Sequence, residues 1–542
     1  MKRTLWFGMA ALAVTLSAAD YVAEGDQWWA HIQYLADDSL QGREAGSAGY
    51  RKAVEYVAGK MEAFGLKAAG TDGYLQPVKF ETRQLVDADS SVALVRDGQE
   101  EKLERADAMM SGRAEAGSVE APMVFVGYGL RIPEVKYDEL AAIDLKGKIA
   151  VYVNSTGPVE APGPVKSHAG SGSERWAALR SVGAIGIATI SSPRAPIGAN
   201  PAAAAAVAAG RGRGAAGSGA GRGPQKTFVL ADPALQEQAG MKVALAIGRT
   251  GGEKFFAGSG HTYEEILDLA KQNKPLPKFR LKGILRATTA VQRAEIEAPN
   301  VVGMLPGADT KLKNEYVIMS AHLDHIGVGR PVNGDSINNG AMDDASGIAS
   351  ILEIARIMKA DGMKPKRSIV FLALAAEEKG ELGSRYFATH PTVPAKQIVA
   401  DINLDMFMPL FALKYVEVQG LAESTLGDTI REAAKEFGVA VQADKEPEQN
   451  RFVRSDQYSF IRNGVPALAF KFGYEFGTPE DKIFHDWIRD RYHKPSDDLG
   501  QPVDKAAAAK FDRMIASLLL KVADRKERPA WKTDSFFRRF AN

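Results

Sequence analysis

The 542-residue sequence contains no cysteine, which excludes disulfides, thiolate-bound zinc and a cysteine nucleophile. Histidine is scarce as well, with eight in the whole chain, so each one can be placed individually. Neither sign of charge dominates: 68 Lys and Arg stand against 67 Asp and Glu, a formal net of +1. Such a balance supplies no global field toward nucleic acid or an anionic membrane. The apolar run from Leu5 to Leu16 is too short to span a bilayer, and no later stretch reads as transmembrane.

What is present begins with that same run. Lys2 and Arg3 precede it and Ser17-Ala18-Ala19 follows it, the charged, apolar, small-residue order of a secretory signal. Residues 1–19 are therefore expected to be cleaved, leaving a mature chain from near Asp20 in the periplasm or medium. A buried N-terminal helix is the weaker alternative.

Trp28, Ile32 and Leu35 then follow helical spacing, and Tyr50 to Phe64 gives a second amphipathic pattern ended by Gly65. Near Ala121 the texture changes. MVFVGYGL and DLKGKIAVYVN read as strands around glycine turns, and RWAALRSVGAIGIATI as helix then strand. Pro193 to Gln225 is dominated by Ala, Gly, Arg and Pro, a composition that buries no core, and is expected to be a mobile surface loop. From about Ala298 strand-like runs alternate with helical patterns to the end, which predicts an α/β fold: a mostly parallel mixed sheet with helices on both faces.

Within that block, His322 closes the strand-like run YVIMSAH and Asp343 lies in the polar loop before a helical pattern. Open α/β sheets place their sites at such strand ends. Glu378 in LAAEEKG, Asp405 in INLDM and His493 in YHKPSDD also fall at strand ends or in loops. Two imidazoles and three carboxylates suit a pair of divalent cations sharing one carboxylate, and imidazole favours zinc over magnesium or calcium. Glu377 and Glu378 are neighbours at a strand end, so their side chains diverge. One can bind metal while the other carries a proton, the division that metal-assisted hydrolysis needs.

With these motifs in this order, the chain resembles the co-catalytic di-zinc aminopeptidases of peptidase family M28. The GYG, DLKGKIAVY and Gly183 to Ile187 runs resemble a protease-associated (PA) domain, so the branch implied is the one carrying that insert. The resemblance implies a catalytic domain in two segments, 20–118 and 292–526, around an inserted β-rich PA domain at 119–291 that contains the 193–225 loop. Residues 527–542 are a tail without an assigned role. It further implies two zinc ions bridged by Asp343, with His322 and Asp405 on one and Glu378 and His493 on the other. Glu377 becomes the general base, Asp324 the residue that orients His322, and Asp344 a support for the turn around Asp343. Ser455 and Asp456 are expected to be structural. Tyr492 is expected to stabilise the oxyanion, with Tyr458 as runner-up, since the family's other tyrosine position is Phe452 here.

The blander readings are assigned to the remaining groups. His31, His168, His261 and His390 are expected to be ordinary polar residues, His325 a loop contact beside the site, and Asp497 with Asp498 a loop and helix-capping pair. His485 is a minor candidate for substrate contact. The implied function is a zinc exopeptidase acting on peptides, most simply an aminopeptidase, with no nucleic-acid partner and no stable membrane insertion. A carboxypeptidase or dipeptidase on the same scaffold, a one-zinc glutaminyl cyclase, and a ligand-depleted binding ectodomain are the alternatives. Amine and carboxylate readers differ in the charge they present to substrate. Here Glu381 and Asp456 stand on one side, Arg385, Arg454 and Arg491 on the other, and sequence order does not say which point inward. The insert is expected to cover the cleft.

Overall fold

A computed structural model describes residues 18–193 and 226–541. The expected signal up to residue 17, and the Ala/Gly/Arg stretch beyond Pro193, lie outside the described residues.

The larger unit is built on a nine-stranded sheet. Its strands are β1 (Lys67–Ala68), β2 (Leu75–Gln76), β3 (Asn300–Leu305), β4 (Tyr316–His322), β5 (Ser368–Leu374), β6 (Ile398–Asn403), β7 (Tyr415–Gln419), β8 (Ala440–Ala443) and β9 (Ala467–Gly473). The order β1-β3-β5-β4-β6-β9-β7-β8, with β2 also on β3, is parallel through its centre from β5 to β9. Antiparallel pairings flank that centre at β3–β5 and β7–β9.

Period-two burial explains the layers. Val317, Met319 and Ala321 of β4 and Ile369, Phe371 and Ala373 of β5 enter one core, while Ile318, Val370, Leu372 and Leu374 enter another on the opposite face. Each of the Val, Ile, Leu, Met and Phe side chains among them contributes about 1.5–3 kcal/mol by leaving water. The first core is closed by helices α1 (Ala18–Leu35), α2 (Ser346–Ala360) and α6 (Lys505–Asp524), and the second by α3 (Leu382–Thr389) and α4 (Gln457–Arg462). In α2, Ile348, Ile351, Leu352, Ala355 and Met358 recur at three- and four-residue steps and are all buried. The helix stops at Gly362, whose φ of 64° lets the Met363 N–H return to the Met358 carbonyl at 2.9 Å.

A second unit has its own eight-stranded sheet and a core around Phe125, Ile149, Val151, Leu245 and Ile266. It joins the first through an antiparallel ribbon in which Lys79–Leu85 leaves and Val291–Glu297 returns. The boundary therefore differs from the expected residue 119. Strands Ser91–Arg96, Gln99–Lys102 and Ala108–Met110 already belong to the second sheet. The alternation in Val92 and Leu94 marks a strand but not its partner, which is Phe279–Thr289, almost two hundred residues on. The tail also finds a place: Trp531 donates to the Gly464 carbonyl at 3.0 Å, Phe537 is buried, and Phe536 and Phe540 pack on His168 of the second unit. Among the described residues no helix is long and apolar enough to cross a membrane.

Candidate metal centre

The C-terminal ends of three adjacent parallel strands deliver most of the site. His322 is the last residue of β4, Glu377 and Glu378 follow β5, and Asp405 follows β6. Asp343 lies in the bent turn Ala341–Ala345 that feeds α2, and His493 in the turn after α5 (Pro479–Asp490). Asp343 stands between the two imidazoles: its Oδ1 is 3.2 Å from His322 Nε2 and its Oδ2 3.2 Å from His493 Nε2. Asp405 Oδ1 lies 3.9 Å from His322 Nε2, and Glu378 Oε1 3.4 Å from His493 Nε2. All five residues thus converge, with one carboxylate in the middle.

The donors fit a cation. Glu378 Oε1 and both ring nitrogens of His325 are buried without an aligned hydrogen-bond partner among the described residues. Each group stranded in this way costs about 1–3 kcal/mol. A divalent ion satisfies such donors, and a mixed imidazole and carboxylate set is a zinc set.

Buried groups hold the geometry. The Asp344 carboxylate accepts from the N–H groups of Gly347 (3.0 Å), Met406 (3.2 Å) and His322 (3.3 Å), tying three site segments together. The Asp343–Asp344 peptide is cis. Asp497 accepts from the N–H groups of Met342 at 2.9 Å and Asp343 at 3.0 Å, fixing the backbone under the central carboxylate. Arg43, fully buried, donates to the carbonyls of Leu323, Asn339 and Gly340. Lys471 donates to the carbonyls of Asp405 and Met406 at 2.7 and 2.8 Å. Gly340, at φ 64°, is required: a Cβ there would sit 2.2 Å from the Asp343 carbonyl oxygen and 2.6 Å from the His325 ring. Ala376, Met406 and His493 also take φ between 52° and 57°, backbone strain of the kind that collects at functional sites.

Burial and neighbouring charge set the protonation tendencies. Burial raises the Glu377 carboxyl well above its usual range, and Glu378 and Asp405 add to the rise. Burial also works to raise Asp343, yet the His322 and His493 imidazoles hold it well below the usual value. Burial likewise opposes ionisation of Glu378, but His493 and His325 bring it down to about 2.

Residues 300–519 match the profile described as Peptidase family M28. This stretch is a peptidase family M28 domain.

Every converging residue described above except Arg43 lies inside the M28 stretch. The chain is 37% identical over 111 residues to a probable zinc metalloprotease of Pyrenophora teres f. teres, covering 20% of this chain and 23% of that one. It is 30% identical over 182 residues to a probable leucine aminopeptidase 2 of Aspergillus oryzae, covering 32% and 34%. The matched stretches thus span about a quarter to a third of those relatives' lengths. Among solved structures, an aminopeptidase from Aneurinibacillus sp. strain AM-1 aligns over 96% of this chain and 99% of its own, with a TM-score of 0.55 and 19% identity. That similarity establishes the fold.

Three expectations change. Asp324 does not orient His322 through its carboxylate: His322 Nδ1 meets the Asp324 main-chain carbonyl at 3.0 Å, and the carboxylate accepts from the Glu377 N–H at 3.0 Å. The Asp324 carboxylate instead ties down the Glu377 backbone. Tyr458 turns its hydroxyl to His168 Nδ1 of the second unit, away from the centre, whereas the Tyr492 ring stacks on His493 with centroids 3.8 Å apart. Asp497 supports the metal loop rather than capping a helix. Sequence reasoning missed Arg43, Lys471 and the support role of Asp497. The one available signal was Asp497 lying four residues past His493. His325, read as a loop contact, is fully buried against Glu378 at 2.7 Å. His485 pairs with Glu446 and Asp481.

Proposed function

We propose that this protein is a zinc-dependent exopeptidase, and specifically an aminopeptidase, that binds two zinc ions bridged by Asp343. The observation that carries the reading is the Asp343 carboxylate, with one oxygen 3.2 Å from each of two imidazoles and a protonatable glutamate beside it. His322 and Asp405 would hold one ion, and Glu378 and His493 the other. Zinc bound there supplies Lewis acidity and brings the pKa of water toward ~7.

The chain's own residues supply the rest. Glu377, raised by burial, takes the proton of the attacking water and returns it to the leaving amine. Tyr492, whose hydroxyl burial keeps protonated, donates to the developing oxyanion. Asp324 fixes Glu377 by its backbone, and Asp497 fixes Asp343.

An amine reader is supported by the engagement of all three candidate arginines with other groups. Arg385 pairs with Glu237 at 3.0 Å, Arg454 donates to the Gln449 carbonyl at 3.1 Å, and Arg491 donates to the Ser496 carbonyl. Asp456 is fully buried with neither oxygen in an aligned hydrogen bond, near Glu377. We take the second unit as a PA-type insert that overhangs the cleft, supported by Glu237 reaching Arg385 and Arg462 at the site's rim. We further propose that the protein works outside the cytoplasm, a reading supported by its N-terminal signal pattern.

The test is hydrolysis of three matched short peptides, one free, one N-acetylated and one C-amidated, with a chelator control. Loss of cleavage on acetylation alone supports the aminopeptidase. Loss on amidation alone overturns it in favour of a carboxypeptidase, and cleavage that survives chelation overturns the metal chemistry.

A further inference from the structure

We propose that His325 is an additional protein ligand at the Glu378 side of the centre, making that metal position richer in donors than the His322 side. The proposal rests on the two-metal reading above and deepens it.

Four donors surround the Glu378 position. His325 Nδ1 is 2.7 Å from Glu378 Oε1 and 3.9 Å from Asp343 Oδ2. His493 Nε2 is 3.2 Å from Asp343 Oδ2 and 3.4 Å from Glu378 Oε1. Bonds of about 2.0–2.1 Å at tetrahedral angles separate donors by about 3.3–3.4 Å. The observed separations straddle that distance. Among the described residues His325, Asp343 and Glu378 form one close group, which His493 borders, and His322, Asp343 and Asp405 form the other.

The His325–Glu378 contact is short yet lacks the alignment of a hydrogen bond, and neither atom finds a hydrogen-bond partner elsewhere among the described residues. Two donors aimed at a common third atom have this arrangement. A ligand imidazole usually has a fixed ring, and His325 has one. It is 0% exposed, its main-chain N–H donates to the Arg43 carbonyl at 3.3 Å, and Gly340 leaves no room behind the ring. A position with four protein donors resembles a closed, tightly held site, and one with three resembles an open site that receives water or substrate. The two ions therefore have unequal affinities, with the Glu378 position the tighter.

The experiment titrates metal-free wild-type protein, His325→Asn and His325→Gln with zinc against a competing chelator. It then records the visible spectrum of the cobalt-loaded forms. Thermal unfolding of each metal-free variant checks the fold, and two polar replacements guard against one failing to fold. The expected result is two zinc ions on wild type with distinct affinities. Both variants should lose more than about 100-fold at the tighter site, beyond the 10–100-fold typical of an outer partner. The cobalt band should change in intensity and position. Two ions bound by a folded variant with wild-type affinities, or an unchanged cobalt spectrum, overturns the role of His325 and leaves the proposed function standing. Wild-type protein that takes up no zinc overturns both.

Discussion

Asp497→Asn tests the claim that the central carboxylate is held from beneath. The Asp497 carboxylate accepts from the N–H groups of Met342 (2.9 Å) and Asp343 (3.0 Å) and from Gln501 at 2.7 Å, all buried. An asparagine keeps one acceptor oxygen and turns an NH2 group toward the other N–H. One charge-assisted bond is lost, about 1.5–3 kcal/mol, and a buried N–H is stranded. The combined cost is about 2.5–6 kcal/mol, borne by the turn that carries Asp343. Zinc affinity should fall by about 10–100-fold, the range for an outer partner of a ligand. Competition titration with a chelator measures it, with thermal unfolding of the metal-free protein alongside. Asp498→Asn is the control, because the Asp498 carboxylate meets the exposed Gly500 N–H at 2.8 Å and Arg491 at 3.8 Å, not the Asp343 turn. The reasoning is refuted if Asp497→Asn binds zinc within about twofold of wild type, or if the control weakens binding equally.

Glu377→Gln should retain wild-type zinc content while kcat falls about 10²–10⁴-fold, the usual share of a general base; near-normal turnover with full metal removes Glu377 from that role. Tyr492→Phe should lower kcat about 10²–10³-fold, and Tyr458→Phe, which loses only its bond to His168, should stay within about twofold. A reversed ranking would move the oxyanion role to Tyr458. The His485–Glu446 pair predicts a pH signature away from the metals. Its bond to Glu446 lifts His485 from 6.5 to about 9, so its contribution to stability is full below 6.5 and is lost as pH rises through about 9. Burial opposes ionisation of Glu446, but His485 and Arg451 bring it from 4.5 to about 2, so its contribution is present above 4.5 and is lost as pH falls through about 2. Denaturant unfolding should show the largest deficit of His485→Gln between pH 4.5 and 6.5, fading above about 9; a deficit that grows with pH would contradict the assignment.

The α/β block was legible because its strands are buried on both faces and read as unbroken apolar runs such as Ile369 to Leu374. The converging donors were legible because strand ends announce themselves, and a polar residue just past an apolar run has few reasons to be there. What escaped was whatever depends on distant partners. The Ser91–Arg96 strand looks alike in either unit until its pairing with Phe279–Thr289 is known. Arg43 and Lys471 act through main-chain carbonyls, which leave no mark in side-chain patterns. Asp324 was placed correctly beside His322, but which of its oxygens does the work is settled by backbone direction. His325 was undervalued because the neighbour that defines it, Glu378, lies more than fifty residues away.

The most direct measurement is anomalous diffraction at the zinc edge from crystals of the zinc-loaded protein. The account predicts two peaks about 3.5–4 Å apart, one on each side of the Asp343 carboxylate. A single peak, or two that do not share Asp343, would contradict it.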